Sequence, residues 1–217
     1  MPNWCENILI VRGLEQKRLE EFDNAFKGRG TKWGVAPWQL DGKTPEEVAE
    51  IKAKYEKDYE ESEPTYSFDA LYPVPQEVID VGFSGNRQGV SLERSLAALR
   101  DKEKWVNGYT WCVSHWGTKG DIDGGTVGVG KDDNEYTYHF STAWSPPEGW
   151  LAKVAKDWTD LSFELRYEEG GFGFAGYLLF EDGVLVENVE VTGDDYRQFV
   201  IDYFGYDPYE DMEDLDE

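Results

Sequence analysis

The stretch Ser114–Gly125, SHWGTKGDIDGG, holds one of the chain's two histidines, a lysine between small residues and two aspartates two positions apart. Such types can cradle phosphate, bind a cation or supply a nucleophile and base, so each chemistry sets a spacing to check. A phosphate loop requires Gly-x-x-x-x-Gly-Lys-Ser/Thr between a strand and a helix, so that backbone N–H groups face the phosphates. Here Lys119 follows Gly117 by two residues, and Asp121 and Asp123 would repel an anion. The most basic stretch, with Lys27, Arg29 and Lys32 and no acid from Asn24 to Leu40, also lacks that spacing. Gly125, Gly128 and Gly130 place their close pair last, whereas the dinucleotide fingerprint places it first. Asp121, Asp123 and Asp132 open and close like a calcium loop, but Gly125 and Thr126 occupy positions five and six, where a ligand and then a glycine belong.

Zinc would have to draw on Cys5, Cys112, His115 and His139, which lack the short local spacings of structural sites. On a strand, Cys112 and His115 would point to opposite faces. Neither Cys112 nor Ser114 lies in a nucleophile elbow, so no catalytic residue is assigned and no metal or cofactor is expected. Trp116, Thr118, Lys119, Asp121 and Asp123 remain a candidate ligand loop for a small-ligand or nucleotide-directed enzyme. That reading requires a concave pocket containing Lys119. The structural alternative is a loop that ends a strand, packed by tryptophan, with Lys119 paired to Asp121 or Asp123. Trp116, Trp144 and Trp150 would then pack as core across element ends.

The elements that position these residues follow from periodicity. NWCENILIVRG reads as an interior strand, and Leu19, Phe22 and Phe26 mark a helix from about Leu14 to Lys27. Thr44-Pro45-Glu46-Glu47 is a capping box that starts a helix to about Glu61, with Val48, Ile51, Tyr55 and Tyr59 inward. YSFDALYPVP and YTWCVSHW read as strands, with a helix from about Ser91 to Arg100 between them carrying Leu92, Leu96 and Leu99. Residues 124–144 read as a hairpin with Tyr136, Tyr138 and Phe140 on one face. Ser145 is expected to cap the following helix, LSFELRYEE to form a strand, and residues 172–191 a hairpin turning at Asp182-Gly183. A last helix covers DDYRQFVIDYF.

Strand, helix, strand, strand, helix, strand is the ferredoxin-like order: an α+β fold with an antiparallel sheet and helices on one face. The expected organisation is one domain over 1–205, with insertions at about 28–66 and 75–135, an added C-terminal hairpin and helix, and an acidic tail at 206–217.

The chain of 217 residues carries 45 acids against 21 bases, a net charge of −24. Such a field repels nucleic acid and anionic lipid and attracts basic protein surfaces. It also serves solubility. Eight acids and three lysines lie between Glu46 and Glu63, and seven of the last twelve residues are acidic. No apolar run reaches the roughly 20 residues of a membrane span. Two cysteines make no disulfide framework, and the N-terminus lacks a signal peptide's basic region, so a soluble cytoplasmic protein is expected.

Five ordered stretches, MPNWCENILIVRG, FDALYPVP, WCVSHWGTKGDI, FSTAWSPP and FELRYEEGGFGFAGY, resemble the Api92-like (YubB-like) proteins of phages and conjugative plasmids. The resemblance implies a ferredoxin-like N-terminal region and a mobile-element origin, and brings no catalytic residue. With the charge, it suggests an accessory protein that binds a basic surface on a host protein, as a nucleic-acid mimic inhibiting a host defence or nucleic-acid-processing enzyme. The contact would be made by Glu56, Asp58 and Glu60 on the acidic helix and Glu210, Asp211, Glu213, Asp214 and Asp216 in the tail. A third reading, an oligomer-forming protein, requires a large apolar patch or an exposed sheet edge.

Overall fold

The computed structural model describes residues 3–84, 107–122 and 127–210. The expected helix at 91–100, with Leu92, Leu96 and Leu99, therefore lies outside the described residues, as do Asp123 and the tail acids Asp211, Glu213, Asp214 and Asp216.

Alternation builds the sheet. In β1 (Trp4–Arg12), Cys5, Leu9 and Val11 are fully buried on one face. In β5 (Glu135–Ala143), Tyr136, Tyr138 and Phe140 are buried on the same side, as their spacing predicts. β6 (Ser162–Glu169) adds Phe163, Leu165 and Tyr167. β4 (Gly128–Lys131), β7 (Phe174–Glu181) and β8 (Val184–Thr192) complete an antiparallel sheet of order β4-β5-β1-β6-β7-β8. Both residues of the β7–β8 turn have positive φ, Asp182 at 51° and Gly183 at 75°, which matches the right-handed twist of a two-residue hairpin.

Two helices of the ferredoxin-like unit face the main core, which Phe68, Val78, Trp111 and Cys112 from the segment before β4 also join. α1 (Gln16–Ala25) buries Leu19 and Phe22, with Phe26 just beyond its end. It starts later than Leu14, which is 99% exposed. α7 (Glu148–Asp157) buries Trp150, Leu151 and Val154. With these two helices, the strands β6-β1-β5-β4 have the ferredoxin-like order, β1 lying between the two strands that α7 connects. The final helix α8 (Asp194–Phe204) takes the opposite face, where Tyr196, Phe199 and Val200 form a second small core with Ala175.

The described residues between α1 and β4 add elements outside the ferredoxin-like order. β2 (Lys27–Gly28) and β3 (Thr65–Tyr66) form a two-residue ladder flanking α2 (Pro37–Leu40) and α3 (Pro45–Glu61). α3 has the predicted capping box, and its inward residues Val48, Ile51, Tyr55 and Tyr59 are half-buried.

Three local expectations are corrected. YSFDALYPVP is not a strand: after β3 it turns into α4 (Phe68–Leu71), then α5 (Gln76–Val81), because the Ser67 side chain accepts from Asp69 N–H and caps the turn. YTWCVSHW is the helix α6 (Gly108–His115), where Asn107 and Thr110 form a capping box that overrides the β propensity of the aromatic and branched residues. The second strand of the ferredoxin-like order is therefore β4, which lies inside the stretch expected as an insertion at 75–135. Ser145 does not cap α7; Pro147 is the N-cap, and Ser145 Oγ donates to the Gly117 carbonyl at 2.7 Å.

Candidate functional site

The loop after α6 is packed into the protein. Trp116 is fully buried and its indole N–H donates to the Tyr72 carbonyl at 3.0 Å. Gly117 has φ 93°, and a Cβ there would stand 3.1 Å from Glu148 N and Pro146 O, so the loop is pressed against the start of α7. Thr118 is fully buried and donates to the Ala143 carbonyl at 3.1 Å. Asp121 turns inward instead of pairing with Lys119. Its carboxylate accepts from Ser67 Oγ at 2.5 Å, Phe68 N–H at 2.7 Å and Ile122 N–H at 2.9 Å. Burial pushes its pKa up, and those three hydrogen bonds only partly offset the rise. The carboxyl of Asp69 accepts from Thr31 Oγ1 and Val74 N–H. Together the two aspartates tie the added segments to one another.

Cavities of about 550, 870 and 280 Å³ open among the described residues, and Lys119 lines none of these three. The smallest borders the loop at Gly117, with Tyr167, Glu148 and Glu190. The basic stretch is also engaged. Lys27 bonds Asp23, Arg29 Nε donates to the Ser62 carbonyl, and Lys32 pairs with Glu56.

Of the residues weighed for zinc, Cys5, Cys112 and His115 sit in structural settings, and His139 is exposed. Cys5 and Cys112 are buried, and burial pushes both thiols up, so neither is a thiolate nucleophile. His115 stacks on Trp111 at 4.5 Å, with Nδ1 3.0 Å from the Trp111 carbonyl. The tryptophan expectation holds for Trp116 and Trp150 and fails for Trp144, which is 42% exposed with φ 75° and lies beside exposed Phe172. Trp144 ends its strand against Asn3, so its ring falls past the core.

Sequence reasoning missed three buried carboxylates, Asp23, Glu168 and Glu169, the last accepting from Gly171 N–H and Phe172 N–H. Asp23 bonds Lys27, Lys131, Tyr66 and Tyr138. Burial pushes it up, but Lys131 and Lys27 outweigh that and hold it below the usual carboxylate range. Glu168 accepts from the Tyr196 and Tyr206 hydroxyls and pins the C-terminal helix to the sheet. Its sequence signal was weak: an acid at an alternating position of a strand that otherwise reads as half-polar.

The acidic helix presents a different surface. Every α3 residue is exposed or half-buried. Glu56, Asp58 and Glu60 are exposed, Glu56 beside Lys32 and Asp58 beside Lys54. Ion pairs so exposed contribute little to stability and leave the carboxylates accessible. Glu210 is exposed just beyond Asp207, which the Arg197 guanidinium holds. Among the described residues no helix is long and apolar enough to cross a membrane.

Residues 128–202 match the family described as the ferredoxin-like domain in Api92-like protein. A solved structure of the protein Api92 from Yersinia pseudotuberculosis is similar in fold, with a TM-score of 0.52 at 12% identity, covering 89% of this chain and 99% of that one. A search of curated proteins gives no match. The matched segment runs from β4 into α8, and β1 lies between its strands β5 and β6 in the same sheet. Residues 128–202 therefore form a ferredoxin-like domain similar to the one described in Api92-like protein.

Proposed function

We propose that this protein acts by binding, with the exposed face of α3 docking on a basic surface of a host protein. The observation that carries the reading is a helix of seventeen residues that buries none of them while holding seven acids. A helix kept at the surface by a few half-buried residues is poor core and good contact surface. At 1.5 Å per residue its acids fall about one per 3.6 Å of axis. That is close to the roughly 3.4 Å phosphate spacing along one strand and about half the density of a duplex. The geometry supports docking in a basic groove better than imitation of a duplex. The resemblance to phage and plasmid proteins suggests that the groove belongs to a host enzyme that handles nucleic acid. The alternative of a ligand-directed enzyme at Trp116–Asp123 needs a pocket at Lys119, a residue that lines none of the three cavities described above.

The test is affinity capture from host lysate with the full chain, a chain ending at Tyr209 that keeps the Tyr206–Glu168 and Asp207–Arg197 contacts, and the triple variant Glu56→Lys, Asp58→Lys, Glu60→Lys. A basic partner held by the first two, lost by the triple variant and released at high salt, supports docking through α3. Loss on truncation instead moves the contact to the tail. A partner held equally by all three chains refutes both surfaces. The triple variant should unfold within about 0.5 kcal/mol of the parent, because the substituted groups are at the surface.

A further inference from the structure

The two edges of the sheet differ. β4 is four residues long, contains two glycines, and ends at Lys131, which turns to Asp23. Short, glycine-rich strands are how proteins blunt an edge. β8 is nine residues long, pairs on one side with β7, and contains neither proline nor lysine. Val184, Leu185 and Val186 at its start are 62%, 44% and 52% exposed. Its one irregularity, opposite Leu179/Phe180, is confined to that first part, and residues 187–192 run in regular register.

We propose that β8 is a self-association edge, taking the β8 of a second copy antiparallel about a two-fold axis at Val189. The strand's own sequence argues for a second copy. A two-fold axis normal to the sheet passes through a residue, because opposed side chains must share a face. An axis at Glu187 or Glu190 sets like carboxylates against each other, which is destabilising. An axis at Asn188 draws Val186, from the irregular part, against Glu190. An axis at Val189 opposes Val189 to itself, Glu187 to Val191, and Asn188 to Glu190 twice, so that each Asn188 amide can donate to a carboxylate across the seam. It uses residues 187–191, all within the regular register.

Five residues of strand span about 17 Å, so the contact is smaller than the roughly 1,200 Å² of a stable interface. A weak, reversible dimer is expected. Each copy carries −24, so salt screens their repulsion and strengthens the dimer. Docking of α3 on a basic partner responds to salt in the opposite sense.

Sedimentation velocity on the full chain, from about 1 to 500 µM and at about 50 and 500 mM salt, tests this. The expected result is a monomer–dimer equilibrium tightened several-fold by salt. Val189→Lys sets two cations on the axis and Asn188→Asp sets carboxylates opposite Glu190; each should weaken the dimer by about tenfold or more. Adding Glu190→Lys to Asn188→Asp creates an ion pair across the seam and should restore it. Far-UV circular dichroism establishes that each variant is folded. A chain monomeric throughout, including one that takes an extended peptide at β8 instead, overturns the proposal. So does a dimer indifferent to Val189→Lys and Asn188→Asp, or one that the second substitution fails to restore.

Discussion

Helices α1 and α3 are both amphipathic, and they are held by opposite means. α3 has a full capping box: Thr44 Oγ1 accepts from Glu47 N–H at 3.3 Å, and Glu47 accepts from Thr44 N–H at 2.8 Å. It also has Pro45 at its first position and two acids in its first turn. It buries nothing fully. α1 has no side-chain cap bond and no acid in its first turn, yet Leu19, Phe22 and Asp23 are buried. Tertiary packing can hold a helix that local signals leave uncapped, and local signals can define a helix that packing scarcely holds. The first kind belongs to the sheet's core. The second is free to be a surface for something else.

Three substitutions sharpen this contrast. The largest effect is expected at Phe22, whose ring meets those of Phe26, Tyr138, Trp158 and Phe163 at 5.4 to 6.1 Å between centroids. Phe22→Ala should cost about 4 kcal/mol, read as a lower denaturation midpoint with an unchanged slope. A loss below about 1 kcal/mol would mean that α1 is not a core element.

Asp23→Asn follows, at about 2 kcal/mol near neutral pH, because it leaves Lys27 and Lys131 without their shared anion. The folded Asp23 carboxyl lies below its unfolded value, so the ionised group stabilises the fold above the unfolded pKa. That contribution is lost as pH falls through the lower folded value. The gap between parent and variant should therefore close as pH falls below about 4. A gap that is constant with pH would show that the ion pairs do not supply the effect.

Thr44→Ala should have the smallest effect, about 1 kcal/mol and local to α3. Amide hydrogen exchange should quicken in the first turns of α3 while the global midpoint stays in place. A shift of the whole transition would show that α3 unfolds together with the sheet, and would weaken the contrast with α1.

Elements whose signals repeat within a few residues were legible. The alternation of Tyr136, Tyr138 and Phe140 located β5 and its buried face, and Asp182-Gly183 located the β7–β8 turn. The same reasoning misread YTWCVSHW, because a cap at Asn107 outweighed the strand-like composition that followed. The candidate loop was legible as tryptophan-packed but not in its polar chemistry. Asp121 looked like a turn carboxylate for Lys119, and its actual donors, Ser67 Oγ and Phe68 N–H, lie 54 and 53 residues earlier in the chain.

Sequence alone thus determined the acidic character of the chain, the strands of the sheet's centre, the caps of α3, and the absence of known phosphate-loop and zinc spacings. Each depends on composition or on neighbours three or four positions apart. Tertiary structure decided that α8 covers the opposite face of the sheet, that α3 stays outside the core, and that Asp23 collects Lys131 from 108 residues away. It also decided that β4 and β8 are the outer strands of the sheet among the described residues. These outcomes depend on which segments close over one another in space, and local periodicity carries no record of partners so distant.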